Sequence, residues 1–324
     1  MDIRLGRTFV LVNLFAALAS NLFSQEFPKK VRLTLKPKAG ASASYIYDSV
    51  SDIQLPSFSS KGPGDLMTIN EHQEYSDTVL EIDDKGIITK VFNVQVHTKD
   101  EKHSDKKMEK EMKKYAPSND SYSLQGKSIG MKISPDGNIV ESEPLLEVAP
   151  DETRGWKRVH GSIKLVMDDQ MRQGFTNLVV PMTLPDKDLE VGDVWVTTRS
   201  MMGGTFVERY RLAGFENFRN LACAVIESTG IMTTNVEETI GTFFSNKDTK
   251  LVKDITGVGE SKDLGKGSGK GDGKILLAYK EGFIASLVSQ SELTSVTPGM
   301  NGKFLETKSN YKTTLILVEF KQPQ

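Results

Sequence analysis

Cysteine is nearly absent: Cys223 is the only one in 324 residues. That excludes a disulfide framework, so stability has to come from packing and backbone pairing. An excess of charge of either sign is also missing. The 41 Lys and Arg residues stand against 43 Asp and Glu, and the net charge of -2 removes the global attraction that would draw a chain to nucleic acid or an anionic surface. No apolar run reaches the roughly 20 residues a membrane-spanning helix needs. The N-terminal run, from Phe9 to Leu18, is broken by Asn13, preceded by Arg4 and Arg7, and followed by small residues. A basic start, a short apolar stretch and Ala17-Leu18-Ala19 have the layout of a secretory signal peptide over 1–19, leaving a mature chain from Ser20. A cut as late as residue 24 is the alternative, because Ser24 is also small. No cysteine lies just after the apolar stretch, so a bacterial lipid anchor has no attachment point there. The expected location is exported, periplasmic or extracellular, with no transmembrane segment in the mature form.

What is present is a period of two. Val31, Leu33 and Leu35 alternate with Arg32, Thr34 and Lys36, as do Ile129, Met131 and Ile133 with Gly130, Lys132 and Ser134, the pattern of half-buried antiparallel strands. Three segments read as β-hairpins with Gly in an acidic or charged turn: Val79 to Val96 around Asp84-Lys85-Gly86, Ile129 to Val140 around Asp136-Gly137-Asn138, and Ile275 to Val288 around Lys280-Glu281-Gly282. A fourth hairpin pairs Thr205–Leu212 with Leu221–Thr229, turning at Glu216 and Asn217. Thr313 to Phe320 is apolar on both faces and suits a central strand.

Helical spacing occurs twice. Met108, Met112 and Tyr115 fall on one face after a capping Ser104, and Ile163, Met167, Met171 and Phe175 recur every four residues. The second helix is expected to cover an open sheet or to join two halves of it. Gly257 to Gly273 holds seven glycines interleaved with Lys262, Lys266 and Lys270 and reads as a flexible loop. Its spacing fits neither phosphate-binding glycine motif.

Catalytic constellations are not legible. Gly126-Lys127-Ser128-Ile129-Gly130 formally matches a nucleophile elbow, but Ser128 runs into an alternating strand where a strand–turn–helix is required. His72, His97, His103 and His160 form no helical metal pair, and His97 and His103 read as part of a solvated loop leading to the first helix. Cys223, in Leu-Ala-Cys-Ala-Val-Ile, reads as a buried small hydrophobe. No cofactor or metal is expected.

The most distinctive run is Leu184-Pro185-Asp186-Lys187-Asp188-Leu189-Glu190-Val191-Gly192-Asp193-Val194-Trp195, in which Pro185 and Gly192-Asp193 turn the chain and Trp195 opens a strand. With the Ser123 to Glu141 hairpin and the Tyr210 to Ile226 strand pattern, this run resembles an uncharacterised family of exported bacterial β-rich proteins, a domain of unknown function with a Leu-Pro then Val-Gly-Asp-x-Trp signature. The likeness runs from about Lys30 to the end. It implies no catalytic residues. Many such members look like lipoproteins, and this chain departs from them in lacking the lipobox cysteine.

These observations predict an α+β, mostly antiparallel β chain: a curved sheet or half-barrel of β-hairpins with one or two covering helices. Residues 30–324 are expected to form a single domain, built from two related halves (30–150 and 160–324). The expected function is that of an exported non-enzymatic binding protein, holding an apolar or lipid-like ligand in a concave sheet, with Met167, Met171, Phe175 and Trp195 as the candidate ligand-binding residues. The alternative is a structural or surface-interaction protein of the cell envelope, with an envelope protein as partner. A hydrolase ranks third.

Overall fold

The computed structural model describes residues 27–55, 64–106, 109–110, 124–142, 182–201, 204–235, 266–298 and 304–323. Thirteen strands run in chain order: β1 (Lys30–Arg32), β2 (Ser42–Gln54), β3 (Leu66–Ile82), β4 (Ile88–His103), β5 (Ser128–Ile133), β6 (Ile139–Ser142), β7 (Asp188–Glu190), β8 (Val194–Met201), β9 (Gly204–Phe218), β10 (Leu221–Asn235), β11 (Lys266–Ala278), β12 (Phe283–Pro298) and β13 (Phe304–Lys321). Eleven of them make one antiparallel sheet in the order β6-β5-β4-β3-β2-β13-β12-β11-β10-β9-β8, and β1 pairs with β7 in a second small sheet. Among the described residues β6 and β8 are the edges and do not meet, so the large sheet is curved and not closed. The C-terminal strand lies at its centre, between β2 and β12, as the sequence predicts, with Leu315 and Leu317 buried on one face and Val318 exposed on the other.

The three glycine hairpins form as the sequence predicts, with Gly86, Gly137 and Gly282 at φ of 79°, 88° and 73°. The fourth hairpin turns later than expected. Glu216 and Asn217 still pair in β9, with Cys223 and Ala222, and the turn falls at Arg219 and Asn220, both at positive φ (49° and 67°). Two consecutive left-handed residues match the right-handed strand twist, and Asn tolerates that conformation.

The long strands, up to 18 residues in β13, divide into two zones. At one end, beside the Asp83–Ile87, Arg219–Asn220 and Tyr279–Gly282 turns, the inner face is apolar except for the buried Asp77 and Lys90: Tyr45, Tyr75, Phe92, Ile129, Leu212, Ile226, Leu277, Phe283 and Leu317 are buried. Register shifts between Glu74/Tyr75, Val79/Glu81, Val225/Ile226, Leu276/Leu277 and Leu317/Glu319 cluster there. Bulges bend a strand and increase its twist. Their effect is visible in a contact across the sheet: Lys90 of β4 lies 4.4 Å from the ring centroid of Phe283 of β12, although three strands separate them in the sheet order. The concave side is filled by two segments, Val31 to Leu35 and Met182 to Leu189, whose apolar residues are buried and which hook onto the β5–β6 turn through Leu35 N to Pro135 O (2.8 Å) and Leu184 N to Asp136 O (2.7 Å).

Two expectations change. Residues 266–273 are not loop but the first half of β11, paired on both sides with β10 and β12; residues 257–265 lie outside the described residues. His97 and His103 are not in a solvated loop but inside β4, paired in register with Gln73 and Met67. Of the first helix only its start is described, with Glu109 N bonded to Asp105 O (2.9 Å). Ser104 is used otherwise than as its cap: its hydroxyl donates to Asp65 and accepts from Leu66 N. Met108, Met112, Tyr115 and the Ile163–Phe175 helix lie outside the described residues. Helix is therefore almost absent from the described fold, which is mostly antiparallel β.

Candidate functional site

Beyond the filled end, the strands continue as a sheet whose inner face is only half covered. The pairing register sets side chains in rows across it. One row carries Phe206, Met232, Gly269, Leu293, Ser309, Ile53, Met67 and His103; the next carries Gly230, Gly271, Ser291, Tyr311, Ser51, Ile69 and Glu101. Phe206, Met232, Leu293, Ile53, Met67 and Ile69 are all partly exposed. The opposite face carries charge: Arg211–Glu227 (2.6 Å), Lys274–Glu216 (3.0 Å) and Lys270–Glu292 (3.3 Å) are exposed ion pairs.

A shallow trough of about 200 Å³ opens on the inner face, with Phe206 and Met232 on one wall, Ser289 and Ser291 on the other, and Gly230 and Gly271 in its floor. In β11 the glycines 267, 269, 271 and 273 alternate with Ser268, Lys270, Asp272 and Lys274, so every glycine faces inward. The reason is close approach. A Cβ at 269 would lie 2.7 Å from Glu292 O, and one at 271 would lie 3.0 Å from both Gln290 O and the Ser291 Cβ. The β12 main chain presses on this face of β11, which only glycine permits. This period of two was present in the sequence and is masked there by composition, because a glycine-rich stretch has no side chains to mark a buried face.

Of the residues expected to bind ligand, Trp195 is buried in the filled end. Its ring stacks on Tyr210 (centroids 5.4 Å, 21°) and its indole N–H donates to Thr183 O (3.0 Å), so it packs as core. Met167, Met171 and Phe175 lie outside the described residues.

Two histidine clusters on β4 were not legible in the sequence, since the carboxylates Glu71 on β3 and Asp65 just before it come from distant positions, and only Glu101 lies on the same strand. His97 Nε2 meets Glu71 Oε1 at 3.0 Å, and its Nδ1 accepts the Leu124 N–H (2.8 Å). His103 Nδ1 meets Asp65 Oδ2, and its Nε2 meets Glu101 Oε1 at 2.9 Å. Burial pulls the His103 imidazole down, but the hydrogen bonds to Asp65 and Glu101 outweigh it and hold it above its ordinary value. For Asp65, burial pushes the carboxyl up, and bonds from His103, the Asp105 N–H and Ser104 bring it below the ordinary value. Among the described residues no group of three or more His, Cys, Asp or Glu side chains is arranged to hold a metal ion, and no helix is long and apolar enough to cross a membrane. Burial pushes the Cys223 thiol up to about 12.

No protein-family model matches the chain, and no curated protein matches it. Among solved structures, one described as lipid–protein interactions in lipovitellin is similar over 89% of this chain and 26% of its own, with a TM-score of 0.47 and 11% identity. The chain thus spans about a quarter of the length of that protein.

Proposed function

We propose that this chain is an exported, non-enzymatic binding protein that holds an apolar or lipid-like ligand on the inner face of its curved sheet. The observation that carries this reading is the half-covered trough over β10, β11 and β12. There Phe206 and Met232 are partly exposed on the concave face of a protein whose other end is tightly filled. Phe206 and Met232, left partly exposed beside a fully packed core, give this face an apolar surface to cover. Methionine suits such a wall, because its flexible, polarisable side chain adapts to varied apolar shapes. The trough of about 200 Å³ falls below the roughly 300 Å³ at which ordinary ligand pockets begin. The reading therefore requires a further cover, for which Ile163, Met167, Met171 and Phe175 are the sequence candidates.

The test is binding of a fluorescent fatty-acid probe to the purified chain. Phe206→Asp and Met232→Asp should each weaken it at least tenfold while the denaturation midpoint stays near that of the wild type. A wild type that binds no probe, together with solvent extracts free of lipid, overturns the reading in favour of a cell-envelope interaction protein. Export is tested separately, by sequencing the N-terminus of the protein recovered outside the cytoplasm, which should begin near Ser20.

A further inference from the structure

The far ends of β2, β3 and β4 meet in one buried knot around Asp65. Its main-chain oxygen accepts from Leu55 N (2.8 Å) and Gln54 Nε2 (3.2 Å) at the end of β2. Its Oδ1 accepts from Ser104 Oγ and Asp105 N, both at 2.9 Å, just past the end of β4. Its Oδ2 faces His103 Nδ1. Leu66 N donates to Ser104 Oγ and Ser104 N to Leu66 O, each at 2.9 Å, closing the knot from the other side.

The charge state inside the knot follows from its partners. An ionised carboxylate can only accept hydrogen bonds. His103 has a carboxylate against each ring nitrogen, so both nitrogens must donate and the ring must be an imidazolium. His97, on the same strand, is the contrast, because its Nδ1 accepts a backbone N–H and carries no proton. The groups facing His103 from the neighbouring elements are Asp65, ahead of β3, and Glu101 on β4. Asp105 offers the knot its backbone N–H, Lys106 pairs with Glu109 at 3.0 Å, and β2 and β13 contribute the neutral Ile53 and Ser309 to the row. The knot therefore balances one buried cation against two carboxylates.

We propose that Asp65, His103 and Glu101 form a proton-operated clasp: with His103 protonated, the start of β3 is latched to the end of β4 and the turn beyond it, and loss of that proton loosens this end of the sheet. The proton leaves from Nε2. The Glu101 side chain is 35% exposed and can turn to water, whereas those of Asp65 and His103, at 3% and 2%, cannot. Neutral His103 keeps its Nδ1–H bond to Asp65, but the buried carboxylate has lost its counter-charge, and an uncompensated charge in such a site weakens everything that depends on it. His103 shares its row with Ile53, Met67, Leu293, Met232 and Phe206, so the clasp sits at the rim of the half-covered inner face. The inference rests on the knot alone and holds whether or not that face binds a lipid.

The test is amide hydrogen exchange on the full chain, followed by NMR from about pH 5.5 to 9 and corrected for intrinsic rates, because local opening sets protection. Protection of the Ser104 and Asp105 amides should fall at least tenfold over the same pH range in which the His103 ring titrates, while the Val79 amide in the filled end is unchanged. In His103→Gln, protection of the two amides should be low and independent of pH. Glu101→Gln, altered at a partly exposed position, should move the loss to lower pH, which keeps the proposal testable if the first variant does not fold. Constant protection of Ser104 and Asp105 through the His103 titration, or a Glu101→Gln profile that matches the wild type, overturns the clasp.

Discussion

Lys90 and Asp77 form an ion pair of 2.7 Å inside the apolar core, both side chains buried, with the ammonium 4.4 Å from the centre of the Phe283 ring. Desolvation of the Asp77 carboxyl outweighs its attraction to Lys90 and leaves it above the ordinary value. Its second oxygen, Oδ1, is buried without a hydrogen-bond partner. Such a pair is costly to split. Lys90→Met alone should cost about 3–5 kcal/mol by stranding the carboxyl, whereas Lys90→Met combined with Asp77→Leu should recover most of that loss. Denaturant midpoints of the two single variants and the double variant check this, and equal losses in the single and double variants would refute it.

Two strand glycines, Gly269 on the bare face of β11 and Gly214 in β9, give a contrasting pair of predictions. Gly269→Ala places a Cβ 2.7 Å from the Glu292 carbonyl and should destabilise by about 1–3 kcal/mol. Gly214→Ala, with nothing within 4 Å, should be neutral or stabilise by up to about 1 kcal/mol through the unfolded chain. Thermal unfolding of the two variants separates them.

Cys223 is fully buried and its thiol is pushed up to about 12, so it carries almost no thiolate near neutrality. A chromogenic disulfide reagent should label it only at the rate of unfolding. Rapid labelling of the native protein would displace it from the core.

The Asp65 carboxyl lies below its ordinary value of 3.8 when folded. A depressed carboxyl contributes stability that is present above its unfolded value and lost as pH falls through the folded one. Between about pH 5 and pH 2 the wild type should therefore lose more stability than Asp65→Asn, measured as the shift in urea midpoint.

The alternation of apolar and polar residues, and the Gly-bearing turns, were enough to define β3–β4, β5–β6 and β11–β12 as hairpins, because a two-residue period and a positive φ are local properties. The apolar run from Thr313 to Phe320 likewise marked a central strand, although only its Leu315 and Leu317 face is buried and Val318 on the other face is 44% exposed. Burial of Cys223 followed from its neighbours. The turn at Arg219 and Asn220 was missed because Glu216 and Asn217 carry turn-like residue types, while pairing with Cys223 and Ala222 decides where the strand ends. The carboxylates Glu71, Asp65 and Asp77 that meet His97, His103 and Lys90 come from β3 and the chain leading into it, and sequence spacing does not encode which residues on two strands face each other. Strand character in Lys266 to Gly273 was decided by tertiary structure alone. Without side chains those glycines carry no propensity for a strand, and what orders them is the β12 backbone pressed against the face they leave bare.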